Sequence, residues 1–213
     1  MSGESVPRKT LAREGTVSGI GLHTGKPCTL LLKPASAGAG LRFLKHGRPV
    51  EGFSADPRRC SAIGEGEDRI LTVEHFLAAL GGAGITDLVI DVQGSEIPGL
   101  DGSALPFVKL FKELGIIEQA GSLEVYRIAE PIFCYDNYDK QKAIAIHPGD
   151  GLRVSYLLDH EHPELRGQKV DLALTPESFE SQIAPARTFC TDREVKELQK
   201  SGFGLGGSPK PGA

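Results

Sequence analysis

Short runs of alternating apolar and polar residues, bounded by Gly, Pro or Ser, predict that the first half of the chain is built mainly from β-strands. One helix interrupts them, in TVEHFLAALGG, where four apolar residues at i, i+3, i+4 and i+7 share one face. We expect Thr72 to cap its start and Gly81 or Gly82 to end it. Its four apolar residues are Val73, Phe76, Leu77 and Leu80. The predicted strands of this half lie in REGTVSGIGL, CTLLLKP, LRFLK and TDLVIDV.

A second helix is predicted over residues 103–114, with Ser103 as its cap and Pro106 in its first turn. Residues 116–122 have the pattern of an interdomain linker. Strands then return in SLEVYRIAEPI, KAIAIHP, LRVSYLLD and QKVDLAL. Two helices follow, one over residues 175–183 and one that starts at residue 191 with capping-box spacing and stops at Gly202.

Each half of the chain therefore consists of several strands followed by one or two helices. This order favours an α+β fold in two similar layers over the strict alternation of a parallel α/β sheet. We place the first domain at residues 1–118 and the second at residues 119–213.

Composition excludes several classes of protein. The 213 residues carry a net charge of -4, contain no Trp, and lack the basic and aromatic surface of a nucleic-acid-binding module. No apolar run approaches the roughly 18 residues of a membrane span, and the polar start lacks the apolar core of a secretory signal. The four cysteines stand alone and predict buried or semi-buried thiols in a reducing cytoplasm.

The pair Glu74–His75 is the most suggestive candidate for chemistry. The two residues lie about 100° and 200° around the helix from its apolar stripe, in the first turn. Free backbone N–H groups there favour a carboxylate and a neutral imidazole, which suit a general base and a metal ligand. The alternative is an ordinary exposed pair at a helix start.

Three further segments leave alternatives open. GLHTGK is a hairpin turn or a substrate-facing loop, and it lacks the spacing of a phosphate-binding loop. DHEHP is a solvated turn or a metal-binding cluster. Arg187 and Thr188 lie in an ordinary loop, or they meet a phosphate and a developing oxyanion.

Five motifs in order, LHTG, LTVEHFLAAL, EIPGLDGSALPFV, ARTF and GLGGS, resemble the bacterial UDP-3-O-acyl-N-acetylglucosamine deacetylases. These are zinc enzymes of lipid A biosynthesis in the cytoplasm of Gram-negative bacteria, and the similarity extends from about residue 10 to residue 208. The resemblance implies two β-α two-layer sandwich domains of similar topology, with the active site between them and the second domain incomplete here.

The resemblance also implies roles for four residues. His75 would be a zinc ligand, and Glu74 the general base for the zinc-bound water that attacks the N-acetyl carbonyl. Thr188 would help to hold the tetrahedral oxyanion, and His23 would contact the substrate. The implied substrate is the small molecule UDP-3-O-acyl-N-acetylglucosamine, hydrolysed by a cytoplasmic monomer without nucleic-acid partners.

The sequence departs from the family pattern in two ways. The family's other two zinc ligands, a His and an Asp four residues apart on a helix, have no counterpart before Ala213, so we expect a C-terminally truncated chain with little activity alone. His147 and His160 stand where the family has a lysine and an aromatic residue, and we assign them no role. The alternative function is a non-catalytic relative that binds a nucleotide sugar or a protein.

Overall fold

The computed structural model describes residues 5–56, 60–136 and 142–207. The last residue of the GLGGS motif lies outside these ranges, as do the outer ends of the two predicted domains. The strands are β1 (Val6–Leu11), β2 (Gly15–Ile20), β3 (Pro27–Pro34), β4 (Leu41–Lys45), β5 (Arg48–Val50), β6 (Phe53–Asp56), β7 (Cys60–Ile63), β8 (Ile70–Leu71), β9 (Leu88–Gln93), β10 (Ile116–Leu123), β11 (Ile132–Tyr135), β12 (Ala143–Ile146), β13 (Leu152–Leu158) and β14 (Gln168–Leu174). The helices are α1 (Glu74–Ala83), α2 (Leu105–Leu114), α3 (Pro176–Ser178), which continues as a π-helical turn (Phe179–Ile183), and α4 (Asp192–Lys200). A 3-10 turn spans Gly66–Asp68.

A five-stranded sheet in the order β2-β3-β9-β4-β5 forms the centre of the first half. Strand β9 runs antiparallel to β3 and parallel to β4. Alternate residues of a strand point to the same face, so β3 and β9 each present a buried row. These rows comprise Cys28, Leu30 and Leu32 of β3 and Leu88, Ile90 and Val92 of β9.

Helices α1 and α2 pack together on this core. The Phe76 ring of α1 meets the Phe107 and Phe111 rings of α2 edge-on, with centroids 5.2 and 5.9 Å apart, a preferred aromatic geometry. The predicted stripe of α1 is confirmed, because Val73, Phe76 and Leu80 are buried and Leu77 packs against the same core. Sequence periodicity therefore identified the face of α1 that drives its packing.

Both predicted ends of α1 need correction. The residue at the N-cap is Val73, without a side-chain cap, and Thr72 instead has a left-handed backbone with φ of 58°. The helix includes Gly81 and Gly82 and ends at Ala83, followed by the C-cap Gly84, whose φ of 68° suits a residue without Cβ. In α2 the N-cap is Ala104, one residue after Ser103, whose hydroxyl accepts a hydrogen bond from the Leu105 N–H.

A second, smaller sheet of β6, β7 and β8 carries a separate apolar cluster. Helix α4 packs Leu198 against this cluster, and its predicted capping box of Thr191 and Glu194 is confirmed. The buried members of the cluster are Cys60, Ala62, Leu71 and Phe203.

The interpretation of residues 116–122 as a linker is wrong. They form most of strand β10, which pairs antiparallel with β1 from Ile116 opposite Leu11 to Leu123 opposite Val6. The local pattern missed this strand because its partner lies at the other end of the first half. The domain division at residue 118 stays a prediction.

The second half contains two hairpins, β11–β12 and β13–β14, whose side chains are mostly exposed. The segment after them is different, because Phe179 and Ala184 are buried in the core built by α1 and α2. Helices combined with mainly antiparallel sheets confirm the α+β class.

None of the four cysteines, all within the described ranges, forms a disulfide bond, as their isolated positions predict, but the expectation that all four are at least partly buried is wrong for two of them. Cys28 and Cys60 are buried, whereas Cys134 and Cys190 are exposed. Within the described ranges, no helix combines the length and apolar character that crossing a membrane requires.

Candidate functional site

A pocket of about 390 Å³ brings together residues from three parts of the chain. It joins the first turn of α1, the start of α2 and the segment that runs from the π-helical turn to Phe189. His75 and Thr188, far apart in the sequence, both line it. The other lining residues are Ala78, Ala104, Phe179, Ile183, Ala186, Arg187 and Phe189.

His75 reaches the pocket because it is the second residue of α1 and lies off the buried stripe of that helix. Its side chain is half-buried, so it is held by the fold and still open to a ligand. Glu74, the preceding residue, points toward β7, where its Oε2 accepts a hydrogen bond from the Ser61 N–H at 3.1 Å. The pair therefore splits: His75 lines the pocket, whereas Glu74 is not among the lining residues and its carboxylate is bonded to the backbone of β7.

Thr188 is placed by the loop before α2. Its backbone N–H donates to the Gly102 carbonyl at 3.0 Å, and Gly102 has a φ of 83°, which suits glycine. Asp101 shapes the same turn, because its Oδ1 accepts hydrogen bonds from the N–H and hydroxyl of Ser103. Asp101 and Ser103, at the approach to α2, thus also shape the loop that fixes Thr188.

His23 does not line this pocket. It is 6% exposed, and its ring stacks on Phe203 with centroids 4.4 Å apart. The GLHTGK segment forms the hairpin turn between β2 and β3, closed by a hydrogen bond from the Gly21 N–H to the Lys26 carbonyl. The role of His23 in substrate binding stays a prediction.

Glu96, the first residue of the EIPGLDGSALPFV motif, is a functional candidate whose role the motif does not indicate. Its side chain is 1% exposed, and its carboxylate accepts hydrogen bonds from the backbone of His23 and Thr24 and from the hydroxyls of Thr24 and Thr72. A glutamate between Ser95 and Ile97 carries no local signal of burial, because its partners come from two distant loops.

The DHEHP segment forms an exposed turn. Here the His160 Nδ1 accepts a hydrogen bond from the His162 N–H at 3.0 Å, and Arg166 pairs with Asp159 at 3.1 Å. Across the described ranges, no group of three or more His, Cys, Asp or Glu side chains could hold a metal ion. His75 is therefore one candidate zinc ligand, and the described residues do not by themselves form a complete zinc site.

Comparison with known proteins provides independent information on this arrangement. The sequence model of the UDP-3-O-acyl N-acetylglycosamine deacetylases (LpxC) matches residues 8–211. Proteins named UDP-3-O-acyl-N-acetylglucosamine deacetylase are similar in Anaeromyxobacter sp. strain Fw109-5 (37% identity, 94% of this chain and 67% of the relative) and Oleidesulfovibrio alaskensis (42%, 90% and 64%). Another, from Myxococcus xanthus, is 36% identical over 98% of this chain and 68% of its own.

The chain spans about two thirds of the length of these curated relatives. The family match covers both the α1 segment with Glu74 and His75 and the loop with Thr188. Because the family model matches residues 8–211, the chain belongs to the UDP-3-O-acyl N-acetylglycosamine deacetylase family.

Proposed function

We propose that this chain forms the glutamate, histidine and threonine side of a zinc-dependent deacetylase site. The reaction is hydrolysis of the N-acetyl group of UDP-3-O-acyl-N-acetylglucosamine in lipid A biosynthesis, which releases acetate and leaves a free amine. The observation that carries this proposal is the convergence of His75 and Thr188 on one pocket, with Glu74 adjacent to His75 in the first turn of α1.

Glu74 serves in this proposal as the general base. Because the Ser61 N–H occupies Oε2, the other carboxylate oxygen is the one available to accept a proton from an attacking water. The hydrogen bond to β7 also fixes the direction of the carboxylate, which a proton transfer over hydrogen-bond distance requires.

Thr188 serves as a donor to the developing oxyanion. Its N–H is already bonded to the Gly102 carbonyl, so the hydroxyl is the group that remains for the reacting amide. Apolar side chains of Phe179, Ile183 and Phe189 line the same pocket.

Zinc, when bound, would polarise the amide carbonyl and make hydroxide available near neutral pH. His75 is the residue that would hold it. A catalytic zinc takes three protein ligands, and a single imidazole binds it weakly. We therefore propose that the 213-residue chain alone binds zinc poorly and turns over slowly. We also expect a monomer that acts in the cytoplasm on this small molecule.

A chimera tests the proposal directly. The present chain would be fused to the unmatched third of the Anaeromyxobacter relative, and amine release from UDP-3-O-acyl-N-acetylglucosamine followed by mass spectrometry. We expect activity that Glu74→Gln lowers by at least about 100-fold, as for loss of a general base. We expect His75→Ala to lower both activity and bound zinc.

His46→Ala is the matched control, because His46 is exposed and bonds Gln93 away from the pocket. It should leave activity and zinc content unchanged. Equal activity in Glu74→Gln, His75→Ala and His46→Ala would overturn the proposal. Substrate binding without turnover in an intact, zinc-loaded chimera would instead favour the non-catalytic nucleotide-sugar binder.

A further inference from the structure

Glu96 is a buried carboxylate that the proposed chemistry does not use. Its Oε1 accepts from the His23 N–H at 2.9 Å and the Thr72 hydroxyl at 2.8 Å. Its Oε2 accepts from the Thr24 N–H at 2.9 Å and the Thr24 hydroxyl at 2.8 Å. These four donors are neutral, so their dipoles compensate the burial of this carboxylate.

Thr72, one of these partners, has a strained backbone. Its φ of 58° lies in the left-handed region, where a β-branched residue is a genuine outlier. Such a conformation is unfavourable and persists only where surrounding contacts enforce it. Thr72 is 6% exposed, and its hydroxyl bond to Glu96 is one of those contacts.

The strained residue lies two positions before Glu74, the first residue of the candidate catalytic pair. Leu71 is held between backbone bonds, its N–H to the Ser95 carbonyl and its carbonyl to the Ile97 N–H. Helix α1 begins three residues later, at Glu74. The left-handed turn at Thr72 therefore sets the direction in which α1 leaves the β8 strand and presents its first turn.

The second link of Glu96 is to the hairpin between β2 and β3. Gly21 of that hairpin lies so close that an added Cβ would come within 2.3 Å of Glu96 Oε2. The same carboxylate thus fixes the His23 loop and the start of α1 relative to each other.

We propose that Glu96 is a positioning residue: through Thr72 it orients the first turn of α1, and with it Glu74 and His75, against the His23 loop. The proposal rests on the function proposed above, which gives those residues their roles. Glu96 does not touch substrate and acts only through the backbone that it holds.

The test is nuclear magnetic resonance of the full chain carrying Glu96→Gln. Each carboxylate oxygen accepts a backbone N–H, so the amide nitrogen of Gln opposes a backbone donor in either orientation. We expect loss of the left-handed signature at Thr72, in its HN–Hα coupling and carbon shifts, and a shift of the His75 ring resonances. Thr72→Val replaces the hydroxyl that bonds Glu96 with a methyl group of similar size, and it should shift the same His75 resonances. This second variant tests the proposal even if Glu96→Gln does not fold.

Asp87→Asn is the matched control, because Asp87 is also a buried, hydrogen-bonded carboxylate but contacts β1 and the Gly40 loop. It should leave the Thr72 and His75 resonances in place. A rescue separates positioning from bulk stability: glycine adopts positive φ without strain, so Thr72→Gly added to Glu96→Gln should return His75 toward its wild-type shifts.

Unchanged His75 resonances in both Glu96→Gln and Thr72→Val would overturn the proposal, as would an equal shift in Asp87→Asn. So would failure of Thr72→Gly to restore any of the shift. These resonances are measured without turnover, so they are read separately from the activity of the chimera. Inactive chimeras would therefore refute the proposed function without deciding whether Glu96 positions α1.

Discussion

At the scale of single residues, two buried acids show two ways to keep a carboxylate inside a small protein. The buried charge of Glu96 is compensated by hydrogen bonds from neutral donors. The Asp87 carboxylate instead accepts hydrogen bonds from a charged group, the Arg8 guanidinium at 3.2 Å, and from the Gly40 N–H and the Thr86 hydroxyl. Both tie distant parts of the chain together. The burial of neither acid could be recognised from sequence, because Asp and Glu are mostly exposed and are buried only where partners, here distant in the chain, compensate them.

Asp87 gives a prediction about acid stability. Burial alone raises the pKa of its carboxyl, but hydrogen bonds from Thr86, Gly40 and Arg8 more than offset this, and the pKa lies below its ordinary 3.8. The ionised form therefore stabilises the fold above about pH 4, and this contribution is lost as the pH falls through the lower folded-state pKa. Asp87→Asn should lower the free energy of unfolding at pH 6 by about 3 kcal/mol.

Denaturant titrations at pH 6 and pH 3 check this, and the difference between the two proteins should narrow at pH 3. Asp171→Asn is the control, because the ion pair between Asp171 and Arg153 is exposed and should contribute little at either pH. A difference that grows on acidification would contradict the assigned sign.

Cys28 gives a prediction about reactivity. Burial, and to a smaller degree the charge of Glu96, raise the pKa of the Cys28 thiol to about 11. The thiolate is the reactive form, so Cys28 should be alkylated far more slowly at pH 8 than exposed Cys134. Iodoacetamide labelling resolved by peptide mass spectrometry measures both sites in one sample, and equal rates would be inconsistent with this pKa.

At the scale of elements, α1 depends on a contact that helix propensity does not reveal. Gly82 lies against the Phe179 ring, whereas nothing lies within 4 Å of the Cβ position of Gly81. Phe179 belongs to the π-helical turn that forms one wall of the pocket with His75 and Thr188. The glycine at position 82 thus allows a segment of the second half to pack on the first.

The two adjacent glycines provide a matched pair of substitutions. Gly81→Ala should stabilise the protein by about 0.5–1 kcal/mol, because alanine is the better helix former and meets open space. Gly82→Ala should destabilise it by about 1–3 kcal/mol, because its Cβ would come within 2.1 Å of Phe179. Thermal melts of the two variants check the signs, and stabilisation by both would mean that Phe179 does not pack where it is described.

Several elements were predictable because their signals are local. The stripe of α1, the start of α2 near Pro106 and the capping box of α4 each follow from residues within a few positions of one another. Strand β10 was misread because its pairing with β1 joins residues more than a hundred positions apart. A strand is stabilised by its partner strand, and the local sequence pattern does not indicate which segment that partner is.

At the scale of the whole molecule, the two halves differ in how well they are packed. The first half has a continuous core around Phe76 and Ile90, whereas the strands of the two later hairpins leave large apolar side chains in solvent. Val154 and Tyr156 of β13, for example, are 38% and 57% exposed. Exposed apolar surface of this extent is a liability for solubility and a site for association.

We therefore predict a loose second half. Hydrogen exchange followed by mass spectrometry should show rapid exchange in β11–β14 and slow exchange in β3 and β9, because few buried contacts oppose local opening of the hairpins. The segment around Phe179, buried with the first half, is the internal control and should be protected. A single cooperative melt at high temperature, with β13 protected as well as β3, would argue against this division.

The candidate site shows the same boundary between local and tertiary information. Sequence singled out Glu74, His75 and Thr188, because residue types with clear chemistry stood at a helix start and in a loop. Only the fold places His75 and Thr188 in one pocket, turns Glu74 toward β7 and stacks His23 on Phe203. Those placements depend on contacts between segments that are distant in the sequence.

The sequence by itself determined the faces of the helices, most of the strands of the central sheet and the order of the family motifs, because periodicity, caps and motif spacing are properties of neighbouring residues. Tertiary structure alone decided the pairing of β1 with β10, the burial of Glu96 and the left-handed turn at Thr72. Each of these is stabilised by groups far away in the chain, and a strained or buried polar residue persists only once such partners are assembled.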